Sequence, residues 1–256
     1  MASRFAGLPP VAGVQAGAGL PVDATVSLRM ADDGEASFPL RLVQARQVIA
    51  AVPWRQARSA RGQAHYPGYF WSATMGGHVI YESRLELARL LLADFDRDVA
   101  AIGAQPFLLQ ARVAGTARQH VPDFLLAQAD KSVRVINVKP SGKLEEPRIA
   151  EALAWPGQLI GERGWQYEIW SGADPVLLAN LRFLAAYRRP GLLSGQLAED
   201  VLAAVRPGDT IGGVISRVSG RPGEVKAAVL RLLWQQRLAT DLHSHLDADA
   251  ALEVAA

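Results

Sequence analysis

Residues 120–140 read HVPDFLLAQADKSVRVINVKP, two apolar runs joined by a polar turn. The runs on either side of AQADKS predict a strand pair, with Pro122-Asp123 opening the first and Val138-Lys139 closing the second. An acid and a lysine at the ends of paired strands is how metal-dependent nucleases build a site. Asn137 stands where such a site usually carries a second acid. Each charge also has an ordinary reading: Asp123 as a turn former after proline, Lys139 as an exposed strand end.

Upstream, residues 83–98 (SRLELARLLLADFDRD) carry the strongest helix signal. Ser83 is the expected N-cap, with Glu86 three residues on as its capping-box partner. On that helix Glu86 shares a stripe with Leu90 and Ala93, so it looks along the edge of the core. A lone glutamate near a helix start is more often a cap or dipole residue than a ligand. Glu82 points the same way if the helix begins early, and spacing does not choose between the two.

Three strands are expected after the helix, at 105–113, 120–127 and 133–138, with ARVAGTARQ and AQADKS as turns. Such short turns imply an antiparallel meander. A helix over 144–162, disturbed at Trp155-Pro156, then leads to the strand WQYEIWSG and a closing helix over 174–187. The intervening helix permits a parallel crossover. The expected class is α/β (α+β), a mixed sheet flanked by helices.

Residues 1–25 are rich in Gly, Ala and Pro and read as a loose tail. Residues 26–48 alternate as short strands around ADDG, and a loop-rich stretch follows with a strand near 78–81. The main unit spans 26–190. Beyond Arg188-Arg189-Pro190-Gly191 the pattern changes to three short helices, 194–205, 210–218 and 223–237, and then LATDLHSHL. That order predicts a small winged-helix domain over 191–256, with a generic helical cap as the plain alternative.

The chain has 256 residues, half of them hydrophobic, and no cysteine, which excludes disulfides and thiolate zinc sites. The first residues form no apolar signal region, and no run approaches the ~18 apolar residues of a membrane helix. A soluble cytoplasmic protein with no membrane partner is expected. Net charge is +2, but residues 41–81 contain no Asp or Glu while holding Arg41, Arg46, Arg55, Arg58 and Arg61. Trp54, Tyr66, Tyr69, Phe70 and Trp71 are interleaved among them, a mixture suited to phosphate and base contacts. The plain alternative is a solvated basic face over buried aromatics. No phosphate-binding G-x-x-x-x-G-K-[ST] loop occurs, so the chain is not itself an ATPase.

Glu86, Asp123 and Lys139 gain meaning together. Adjacent strands bring Asp123 and residues 137–139 to one end of a sheet, and a helix packed there can present Glu86 to the same corner. Carboxylates suit Mg²⁺, a hard cation that prefers oxygen. A lysine beside them can orient water and stabilise charge growing on a phosphate.

In this order, YESRLELARLLLADFD, AQPFLL, HVPDFLL and VINVKP resemble the TnsA family, over residues 66–190. These are endonuclease subunits of heteromeric, Tn-seven-type transposases, with a restriction-endonuclease-like fold. The resemblance implies Glu86 as the helical metal-binding acid, Asp123 as the central metal ligand and Lys139 as the catalytic lysine. It implies an amide oxygen from Asn137 and the Val138 backbone carbonyl completing the metal shell, with Gln105 as a brace. It prefers Glu86 to Glu82. The implied cofactor is Mg²⁺, with Mn²⁺ as a substitute, and the implied reaction is hydrolysis of one DNA strand at the 5′ transposon ends. Implied partners are a separate transposase with an acidic triad and an ATPase regulator, and the assembled protein would be nucleoid-associated. Arg55, Arg58, Arg61 and Arg84 are the expected DNA-backbone contacts. A stand-alone restriction or phage-defence nuclease and a silent DNA-binding scaffold of the same fold are the alternatives.

Overall fold

The computed structural model describes residues 24–55, 67–189, 191 and 195–255. In chain order the elements are β1 (Thr25–Arg29), β2 (Glu35–Pro39), α1 (Ala45–Ala50), β3 (Gly68–Ser72), β4 (Gly77–Tyr81) and α2 (Arg84–Phe95). Then come β5 (Val99–Ala104), β6 (Leu108–Val113), β7 (Thr116–His120), β8 (Phe124–Gln128), β9 (Val133–Val138), α3 (Ser141–Leu144), α4 (Pro147–Glu162), β10 (Gln166–Trp170) and α5 (Pro175–Leu184). A short 3-10 turn, Ala185–Tyr187, follows. The last unit holds α6 (Gly195–Ala204), α7 (Ile211–Arg217), α8 (Pro222–Trp234), β11 (Leu238–Ala239) and β12 (Glu253–Val254). Among the described residues no helix is long and apolar enough to cross a membrane.

The class is mixed α/β, as expected, but the meander is not. One four-stranded sheet runs β10-β9-β8-β5, with β9 and β10 parallel and the other pairs antiparallel. A second runs β2-β1-β6-β7. The stretch expected as the first meander strand, β6, therefore leaves the β8–β9 sheet and pairs with β1 instead. Its place beside β8 is taken by β5, whose sequence VAAIGA is poor in strand-forming residues yet buries Val99, Ile102 and Ala104. Part of the expected turn ARVAGTARQ is the strand β7. The turn shrinks to Ala114-Gly115, both at positive φ (49° and 80°), the mirror-image geometry that matches hairpin twist.

Two other expectations change. Residues 45–50 form α1 rather than a strand, because Gln44 and Gln47 exchange cap hydrogen bonds. Pro156 does not break α4, which runs through it. Ser83 does cap α2, accepting from the Glu86 N–H at 3.1 Å, and Asp174 caps α5.

Strand alternation splits the core in two. Phe124, Leu126, Ile136 and Val138 face a cluster built with α2, α5 and the C-terminal helices. Leu125, Val133 and Val135 face the other way, toward α4, α1 and the second sheet. Arg89 on α2 is buried and donates through Nε and Nη2 to the two carboxylate oxygens of Glu168 on β10, at 3.1 and 3.3 Å. The first cluster continues without a gap into the C-terminal unit. Phe95 meets Trp234 edge-on at 5.3 Å, and the Gln236 amide donates to the Phe95 carbonyl.

β3 and β4 form a separate two-stranded ribbon. Asp94 fastens it to α2: its side chain is fully buried and accepts from Ser72 Oγ (2.5 Å), Ala73 N–H (3.0 Å) and Thr74 N–H (2.9 Å), with the Arg188 Nε at 3.9 Å.

Candidate metal centre

The start of α2 and the opening of β8 meet at one corner, and Gln105 ties the opening of β8 to the Trp54-Arg55 segment beside it. Gln105 is buried at φ +44°, a left-handed conformation uncommon for a residue with a Cβ. In that pose its N–H donates to the Asp123 carbonyl at 2.8 Å, and its own carbonyl accepts from Trp54 N–H at 2.9 Å. Its side-chain Oε1 accepts from Arg55 N–H at 3.0 Å. The brace expected of Gln105 is thus made of backbone as well as side chain, and it delivers Arg55 to the corner.

Asp123 sits just ahead of β8, its N–H donating to the Ile136 carbonyl at 3.0 Å. Its Oδ2 accepts from Val138 N–H at 2.6 Å and lies 3.9 Å from Lys139 Nζ. Among the described residues its Oδ1 makes no hydrogen bond. Burial pushes its pKa up, and the opposing pull of Lys139 and of the Val138 N–H does not cancel the rise.

Glu86 is buried at the first turn of α2, where its Oε2 accepts from Glu82 N–H at 2.8 Å and its Oε1 from Ser83 Oγ at 2.9 Å. The ordinary capping reading therefore holds. Burial raises its proton affinity, and the charge of Asp123 raises it further, so the two acids share a field. Glu82 is less buried; its Oε2 lies 3.8 Å from Arg55 Nη1, and its charge is felt by both Glu86 and Asp123. The structure thus gathers Glu82, Glu86, Asp123, Lys139 and Arg55, with Gln105 behind them. Arg84 lies exposed on the first turn of α2. Arg58 and Arg61 lie outside the described residues.

Asn137 departs from expectation. It is 1 % exposed, and its Oδ1 is 2.8 Å from His120 Nε2 while its Nδ2 donates to the Tyr167 hydroxyl at 2.8 Å. The oxygen expected on a metal is already engaged. The amide has the right polarity for both contacts: it accepts from a neutral ring N–H and donates to a phenol oxygen. Burial lowers the His120 pKa to about 4, so the ring is neutral at physiological pH. Sequence reasoning missed Tyr167 altogether, and Gly157 on α4 leaves it room: a Cβ there would come within 2.8 Å of the Tyr167 ring.

Among the described residues no group of three His, Cys, Asp or Glu is placed to hold a metal ion by itself. Mg²⁺ rarely asks for one, since it keeps waters and takes one or two carboxylates together with substrate phosphates. Asp123, one of whose oxygens makes no hydrogen bond among the described residues, and the neighbouring carboxylate of Glu86 fit that requirement. His243 and His245 are exposed in the loop between β11 and β12 and are not joined to this corner. No protein-family model matches the chain, and no curated protein is detectably similar to it.

Proposed function

We propose that the protein is a Mg²⁺-dependent DNA endonuclease with a restriction-endonuclease-like core, acting as the TnsA-type subunit of a heteromeric transposase that cuts one strand at the 5′ transposon ends. The observation that carries the reading is the corner itself. Asp123 lies 3.9 Å from Lys139 and shares a field with Glu86 at the start of a packed helix, both acids with raised proton affinity. Supporting it, α2, β5, β8, β9, α4 and β10 follow one another around a single mixed sheet, with β6–β7 diverted to a second one. The C-terminal order of three helices and a strand pair, with a bridge between Thr210 and Ala251, supports a winged helix there.

Asp123 and Glu86 would hold the cation, Asp123 through its unbonded oxygen, with the Val138 carbonyl as a neutral neighbour. When bound, the metal would polarise the phosphate and favour the leaving oxygen. Lys139, 3.9 Å from Asp123, would orient the attacking water and neutralise charge growing on a phosphate oxygen. Water supplies the new P–O bond, the bond to the 3′ oxygen breaks, and the leaving oxygen takes a proton. Asn137, His120 and Tyr167 keep β9 and β10 in place beside Lys139 without adding charge.

The test is cleavage of labelled transposon-end DNA with Mg²⁺ or Mn²⁺, with and without the partner transposase. Asp123→Ala and Lys139→Ala should each abolish 5′-strand cutting, and retained cutting in either would overturn the assignment. Robust cutting by the chain alone on unrelated DNA would point to a stand-alone nuclease. The engagement of Asn137 favours one second reading, a silent DNA-binding scaffold. It predicts DNA affinity indifferent to chelators and no cleavage even with the partner present.

A further inference from the structure

The β3–β4 ribbon has two unlike faces. Phe70, Ser72 and Val79 point into the protein, whereas their neighbours Tyr69, Trp71, His78 and Ile80 take the opposite face. Tyr69 is 69 % exposed, the largest value among the big hydrophobic side chains of the described residues, and its ring stands edge-on to His78 at 6.3 Å. The Arg189 guanidinium lies 5.3 Å from the Trp71 ring centre, while Arg188 donates to the Trp71 carbonyl and stacks on Phe70 at 4.7 Å. Arg231 of α8 donates to the Arg189 carbonyl, which adds a third guanidinium at this edge.

Among the described residues the ribbon itself supplies no negative charge to this face. Residues 67–81 contain no Asp or Glu, and the nearest acid on α2, Asp94, is fully buried and beside Arg188. The ribbon also aims at the acid corner, since Tyr69 is the register partner of Ile80, two residues before Glu82. At about 3.3 Å per strand residue Ile80 precedes Glu82 by roughly 7 Å and His78, opposite Trp71, by roughly 13 Å, with Tyr69 one strand spacing, about 5 Å, to the side of Ile80. These are the spacings of successive nucleotides along a strand whose phosphate sits in the corner.

Resting on the nuclease reading above, we propose that this outer face is a DNA track. Tyr69 and His78 stack against the sugars or bases that flank the scissile phosphodiester, and Arg189, held flat on Trp71, takes a backbone phosphate. An aromatic pair presented to water beside a stacked arginine suits a strand with alternating apolar rings and charges. The outer edge of a hairpin needs no such residues for folding: Tyr69 and Arg189 could be serine without exposing the core.

The test is fluorescence anisotropy with a labelled duplex of random sequence in Ca²⁺, with cleavage in Mg²⁺ measured beside it. Tyr69→Ala should weaken binding about five-fold or more without changing its salt dependence, and Tyr69→Phe should restore it. Arg189→Ala should weaken binding and reduce the slope of log K against log salt by about one. Melting temperatures should stay at the wild-type value. If Asp123→Ala binds but does not cut, while the ribbon variants bind like wild type with the same slope, the track is wrong and the nuclease reading survives. Loss of transposase capture with DNA affinity intact would make the face a protein dock and likewise overturn the track. A wild-type chain that neither binds nor cuts would end both.

Discussion

Asp94 and Asp123 are both carboxylates withdrawn from water, and the chain treats them in opposite ways. Asp94 accepts two backbone N–H groups and a hydroxyl and has Arg188 beside it, so each oxygen is occupied. Asp123 has one short hydrogen bond, a lysine at 3.9 Å and an oxygen left over. The first acid fastens a ribbon to a helix. The second has its proton affinity raised by burial, with one hydrogen bond and the charge of Lys139 opposing the rise. Burial differs too, complete for Asp94 and partial for Asp123, but the number of donors separates the two more sharply.

The contrast is most easily broken at Asp94. Asp94→Ala leaves two amides and the Ser72 hydroxyl without their acceptor and removes the charge beside Arg188, and should cost about 3–5 kcal/mol in urea unfolding. A loss below ~1 kcal/mol would mean the clasp is ornamental and the comparison empty. Next in size is Asn137→Asp, which puts an extra carboxylate in a site only 1 % exposed and should cost about 1–3 kcal/mol. Calorimetric Mn²⁺ titration of that variant should show no gain in affinity; tighter binding would mean that residue 137 turns toward the metal after all. Ser83→Ala removes the cap of α2 and one donor to Glu86, worth about 1 kcal/mol.

The smallest effect on stability, and the most telling, is expected from Asp123→Asn. The neutral amide should leave the protein as stable as wild type or more so at neutral pH, while abolishing cutting and the stabilisation by added Mg²⁺. The sign follows from proton binding. Asp123 and Glu86 hold protons more readily folded than unfolded, so their charged forms oppose folding above the raised folded value and the penalty fades as pH falls toward it. The advantage of the variant should therefore shrink on acidification. His120 runs the other way. Its folded pKa of about 4 lies below the ordinary 6.5, so its contribution is complete above 6.5 and is lost as pH falls toward 4. An NMR titration should find that ring neutral down to about pH 4.

Much of the corner could be read from residues alone, because Ser83, Glu86, Asp123 and Lys139 each sit at the end of an element with its own local signal. The capping pattern of α2 and the apolar runs of β8 and β9 are properties of a few neighbours in sequence. What escaped was non-local. β5 is a strand because α2 and β8 bury it, not because VAAIGA favours one. β6 changes sheets because β1, some eighty residues earlier, offers an edge. Asn137 looked like a weakened ligand until Tyr167 and His120, thirty and seventeen positions away, supplied its partners. The DNA contacts expected of Arg58 and Arg61 fall outside the described residues, and Arg55 is found beside Glu82.

One helix joins these stories. The twelve residues of α2 span roughly 18 Å, with Glu86 at one end and Phe95, seated on Trp234 of the C-terminal unit, at the other. Arg89 in the middle is pinned to the sheet by Glu168. Mechanically the helix is a single stiff rod, so a displacement of the C-terminal unit is carried to the acid corner about its fixed middle. Under the nuclease reading proposed above, assembly would act on the corner through this rod, with no switch inside the corner itself.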